Sequence, residues 1–197
     1  MKGVLKLGKI AGIRIEVHWT FTLLLIWVVF LDIQRGGTTY SALMNVVLIL
    51  LLFFCVVLHE LGHALTARRF HINTKKITLL PIGGVASLEK MPEKPGQELI
   101  VALAGPAVNV VIAMLLLLIV PLKNYFGLDA DSLAQLLAAP RLETLLFYLL
   151  IANVMLVVFN LIPAFPMDGG RVFRALLTFV MDRARATEIA AAIGQAL

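Results

Sequence analysis

Three long apolar runs without a charged residue dominate the chain, at Gly36 to Leu58, Leu99 to Leu122 and Thr144 to Met167. Each can cross a hydrocarbon core as a helix of about 20 residues. A fourth run, Val17 to Leu31, is shorter and needs Thr20, Thr22 and Gln34 at its ends to span. Outside these runs the pattern changes period. Ile10, Ile13, Ile15 and Val17 alternate loosely, with Gly8 and Gly12 between, which predicts short strands before the first span. Lys76 to Leu88 reads the same way, but Pro81 and Gly83-Gly84 interrupt it, so a hairpin or a kinked edge strand is expected there. Met91 to Gly96 is polar and holds two prolines, which is loop chemistry.

These elements imply an all-α, polytopic membrane protein with small cytoplasmic β-strand segments. Residues 1–197 are expected to form one transmembrane core, with the small-residue helix from Ile189 to Leu197 expected to begin a further span within which the chain stops. Composition agrees: 60% of the 197 residues are hydrophobic and 15% are charged, against about half apolar and a quarter charged in soluble domains. Lys2, Lys6 and Lys9 precede an apolar run, but no small-residue cleavage site follows, so a removed signal peptide is not expected. The single cysteine, Cys55, excludes an internal disulfide.

The net charge of +5 is not interleaved with aromatic residues, which argues against nucleic acid as a partner. The cations serve instead as topology signals, since basic loops remain in the cytoplasm. Fourteen of the 17 Lys and Arg residues fall in residues 1–18, 64–98 and 169–197; the others are Arg35, Lys123 and Arg141. The N-terminus is therefore expected in the cytoplasm of a bacterial or archaeal cell, and the ends of the second and fourth spans share the cytoplasmic face.

The second span ends in His59-Glu60-Leu61-Gly62-His63. Histidines four residues apart share one helix face and can hold one zinc ion, with the intervening glutamate beside it as a general base. By composition alone the pattern occurs in roughly one chain in a hundred of this length. Here both histidines lie about 8 to 14 Å before Arg68 along the helix, inside the apolar layer. Ionisable groups at that depth are costly and usually functional. Catalytic zinc has three protein ligands plus water. Asp168 is the favoured third donor, because it closes the fourth span on the same face, whereas His18 and His71 sit among charged or polar neighbours near the interfaces. Its alternative role is to cap a following helix. Asn160, Pro163, Pro166, Gly169 and Gly170 break the helix around it, and such irregular backbone is tolerated only against protein or water. Asn160 could bond substrate or a developing oxyanion, or tie down the broken helix. Asn109 and Asn153 lie within spans, where such residues mostly join helices.

Taken together, His59 to His63 and Asn160-Leu-Ile-Pro-Ala-Phe-Pro-Met-Asp168-Gly-Gly resemble the site-2 protease family of intramembrane zinc metalloproteases. Ala104-Gly105-Pro106 with Asn109, and Leu80-Pro81-Ile82-Gly83-Gly84, are similar to its microbial branch. The resemblance implies that His59, His63 and Asp168 ligate one Zn2+, that Glu60 is the base and acid, that Asn160 assists near the scissile peptide, and that the core has six spans. The expected reaction is peptide hydrolysis in a membrane-protein helix that unwinds locally, within the lipid bilayer and near its cytoplasmic boundary. The Ile77 to Leu88 segment could hold the unwound stretch by strand addition, with Gly83 and Gly84 letting the backbone approach closely as substrate-binding residues, or it could equally be a surface hairpin. A divalent-metal transporter would need polar ligands along a through-path and an inverted repeat, neither of which is apparent. A catalytically silent zinc scaffold would not need Glu60, and a lipid-directed hydrolase would share the metal chemistry.

Overall fold

A computed structural model describes residues 3–81, 83–90, 92–122 and 141–196. Lys2 and Lys123, which entered the charge asymmetry above, and Ile82, Met91 and Leu197 lie outside the described residues. The chain starts with a hairpin, β1 (Val4–Ile10) and β2 (Ile13–His18), followed by helices α1 (Thr20–Gln34) and α2 (Thr39–Arg68). A second hairpin, β3 (Thr74–Leu80) and β4 (Gly83–Leu88), leads to α3 (Pro95–Ile119). Helices α4 (Leu142–Asn160), α5 (Asp168–Leu177) and α6 (Arg183–Ala196) complete the fold.

The two strand segments expected from alternation join into one four-stranded sheet in the order β1-β2-β3-β4. The hairpins are antiparallel, and β2 and β3 run parallel with Ile15 opposite Ile77 and Val17 opposite Leu79. A parallel pair requires a long crossover, which α1 and α2 supply. The sheet buries Ile13, Ile15, Ile77 and Leu79 against Val57, Leu61 and Ala64 of α2. Strand alternation thus meets helical period on the half of α2 that carries the histidines. Glu16 is also buried and accepts a 2.9 Å hydrogen bond from the Lys76 ammonium across β2 and β3.

Among the described residues, three helices, α2, α3 and α4, are long and apolar enough to cross a membrane; α1 is apolar but has 15 residues. Helix α2 starts cleanly because Thr38 and Ser41 form a capping box, satisfying two otherwise orphaned backbone donors. Asp32 at the end of α1 accepts from the Ser41 hydroxyl and the Asn45 amide, closing the turn between the helices. Near the middle of α2, Cys55 joins Ala113, Leu116, Leu149 and Leu150 in a second buried cluster linking α2, α3 and α4. Large apolar side chains such as Trp27, Met114, Leu118 and Val158 remain exposed on the outer helix faces, a distribution suited to lipid rather than water.

The apolar run from Thr144 does not stay helical to Met167. Helix α4 ends at Asn160, and residues 161–167 form turns. Proline at 163 and 166 removes backbone donors that a helix would need. Asp168 accordingly opens the short helix α5 rather than ending a span, with Met167 at the N-cap position. Its side chain makes no capping bond.

Candidate metal centre

Helical period turns His59 and His63 to the same side of α2, where their ring centroids are 4.7 Å apart and both residues are buried. Their Nε2 atoms lie 3.1 Å apart. Asp168 reaches the same point from α5, with Oδ2 3.1 Å from His59 Nε2 and 3.0 Å from His63 Nε2. Among the described residues, these three form the group of His, Cys, Asp or Glu side chains that could hold a metal ion. His18 instead bonds the Thr20 hydroxyl, and His71 is exposed.

The opposite edges of both imidazoles are held by acceptors on α3. His63 Nδ1 donates to the Val101 carbonyl at 2.7 Å, and His59 Nδ1 donates to Asn109 Oδ1 at 3.1 Å. A neutral imidazole that donates from Nδ1 presents a lone pair at Nε2. Two such lone pairs and a carboxylate oxygen then converge without a proton to share among all three, an arrangement a cation satisfies. The separations also suit one ion: ligands at zinc distances and tetrahedral angles stand about 3.3 Å apart. Outer partners that fix the distal ring nitrogen are the usual support of such ligands.

Helix α3 can lie this close because Gly105 has no side chain. A Cβ there would collide with Nε2 of both His63 and His59. Val101, Gly105 and Asn109 are spaced four apart and form one stripe on α3. Asp168 has its own support: Oδ1 lies 3.7 Å from Arg171 Nη1 one turn later in α5, leaving Oδ2 to face the histidines.

Glu60 follows His59 on the adjoining face and packs beneath β4. A Cβ on Gly84 would stand 2.8 Å from Glu60 Cγ and 3.3 Å from Glu60 Oε1. Gly83 begins the strand at φ +135°, a conformation that favours glycine. Asn160 is the last residue of α4, where its amide donates to the Leu156 carbonyl at 2.9 Å. The sequence reading missed Val101, Gly105 and Arg171 as parts of the centre and assigned Asn109 to helix packing. The four-residue spacing of Val101, Gly105 and Asn109 was the available signal.

Fold and centre together define a mainly helical protein with candidate membrane spans and a buried two-histidine, one-carboxylate donor set beside a glutamate. Residues 47–197 match peptidase family M50. A zinc metalloprotease of Methanocaldococcus jannaschii is 41% identical over 193 residues, which are 98% of this chain and 51% of that protein. Stage IV sporulation protein FB of Bacillus subtilis is 29% identical over 133 residues, 66% of this chain and 40% of that protein. The solved structure of the site-2 protease from M. jannaschii superposes with a TM-score of 0.66 at 40% identity, covering 98% of this chain and 80% of that one. The chain belongs to peptidase family M50. It spans about half the length of the curated relatives it matches most extensively.

Proposed function

We propose that this chain is the core of an intramembrane zinc metalloprotease that hydrolyses peptide bonds in or near transmembrane helices of other proteins. The observation that carries this reading is the convergence of His59 Nε2, His63 Nε2 and Asp168 Oδ2 at the inner end of an apolar helix, with Glu60 adjoining. His59, His63 and Asp168 hold one zinc ion, which when bound supplies Lewis acidity that acidifies water and polarises a carbonyl.

Glu60 takes a proton from the attacking water and returns it to the departing amine, so one carboxylate serves both steps. A substrate helix must first unwind, because its carbonyls are engaged in internal hydrogen bonds. Strand β4 is an edge of the sheet, and its outer side offers main-chain groups to an extended peptide. Gly83 and Gly84 bind that peptide, and the bare backbone at Gly84 lets it pass close to Glu60. The Asn160 amide, with one N–H given to Leu156, retains a second N–H and a carbonyl oxygen for the substrate near the scissile bond.

Helices α2, α3 and α4 cross a bacterial or archaeal cytoplasmic membrane, with the N-terminus and the sheet in the cytoplasm. The basic residues before α1, after α2 and in α5 and α6 support that orientation. Cleavage then falls near the cytoplasmic boundary. The test is incubation of the detergent-purified chain with a single-span membrane protein, with products identified by mass spectrometry. Cleavage should stop on chelation and return with zinc. Undiminished product after complete metal removal would exclude the metalloprotease reading.

A further inference from the structure

Among the described residues, the most deeply buried charged side chain outside the metal centre is Glu98, in the first turn of α3, with 2% of its side chain exposed. Its Oε1 accepts from Arg174 Nε at 2.9 Å and also from Arg174 Nη2. Its Oε2 lies 3.5 Å from Nη2 of Arg183, at the start of α6. One carboxylate therefore gathers α3, α5 and α6.

The geometry points to Glu98, acting through Arg174, as a positioning residue that sets the metal-centre carboxylate Asp168 against the two histidines. Asp168, Arg171 and Arg174 recur every three residues on α5, so one side of this short helix carries the donor, its supporting guanidinium and the anchor. Arg174 is six residues beyond Asp168, and Glu98 is seven before Gly105; the offsets are roughly 9 and 10.5 Å along their helices. The two attachments to α3 and its neighbours, one at each end, fix both the shift and the tilt of α5.

The turn before Asp168 is fastened to the same point. The Arg174 guanidinium sits 5.3 Å from the centre of the Phe165 ring, a cation–π contact. A Cβ on Gly170 would meet the Ala164 carbonyl at 2.8 Å, so α5 also presses directly on that turn. Helix propensity cannot hold a ten-residue segment in place. A buried, forked ion pair can, because leaving either partner uncompensated is strongly unfavourable.

This inference rests on the reading of His59, His63 and Asp168 as zinc ligands. The test uses the full chain in detergent, measuring zinc affinity by chelator competition and visible absorption with cobalt(II) in place of zinc. Glu98→Gln and Arg174→Lys should each weaken zinc binding about 10- to 100-fold and alter the cobalt bands. Leu116→Ala, which opens the distant core of α3, should leave affinity and bands unchanged at a comparable loss of thermal stability. If Glu98→Gln does not fold, Arg174→Lys decides alone. Wild-type affinity and bands in the folded variants would overturn the proposal, as would an equal loss in Leu116→Ala. A wild-type chain that bound no zinc would overturn the ligand reading itself.

Discussion

His59 Nδ1 and Asn109 Oδ1 meet at 3.1 Å, so a side chain of α3 sets the ring plane and the tautomer of a histidine on α2. Asn109 is fully buried and its position depends on Gly105, one turn earlier, allowing the helices to touch. Asn109→Leu should keep the fold and lower zinc affinity about 10- to 100-fold. Asn109→Asp, which keeps an acceptor, should lose less. Chelator competition on both variants checks the order.

Gly84 offers a second test, because it separates the metal from the substrate path. An alanine there would place its Cβ 2.8 Å from Glu60 Cγ and 3.0 Å from Val56 Cγ1, displacing the Glu60 side chain. Misplacing a reacting group by about 1 Å can cost about 100-fold in rate. Gly84→Ala should therefore lower kcat/KM by about that factor while zinc content stays at the wild-type level. Metal analysis beside a cleavage assay distinguishes this from damage to the metal centre.

Glu16 gives the sheet an acid-sensitive tie. The Lys76 ammonium, by its hydrogen bond first and its charge second, holds the Glu16 carboxyl below its ordinary value of 4.5. A depressed folded pKa means that the stabilisation is complete above the ordinary value and is lost as pH falls through the folded one. Glu16→Gln should reduce the melting temperature near neutral pH, and the gap from wild type should narrow as pH falls below the ordinary value of 4.5. Thermal melting across pH 3 to 7 reports the convergence.

Much of this arrangement is readable along the chain. Apolar runs announce α2, α3 and α4, and the four-residue histidine spacing is a local consequence of helical period. Alternation at Ile13, Ile15 and Val17 marks β2, since every second residue meets α2. The register between β2 and β3 is not readable, because it joins segments separated by two helices. Apolar Leu161, Ile162 and Phe165 make the run from Thr144 to Met167 longer than α4, whereas Pro163 and Pro166 decide where helical bonding stops. Nothing local marks Glu98, an acid in the first turn of a helix, as buried. Its burial arises only when Arg174 and Arg183 arrive from residues far along the chain.

The most direct measurement concerns Glu60, which can be changed without removing any member of the donor cluster. Wild type and Glu60→Gln should bind one equivalent of zinc with similar affinity, and the variant's cleavage of a membrane-helix substrate should fall by at least about 100-fold, the lower end of a general base's contribution. Zinc-loaded Glu60→Gln that cleaved at the wild-type rate would contradict the central claim that this glutamate moves the proton at a His59, His63 and Asp168 zinc centre.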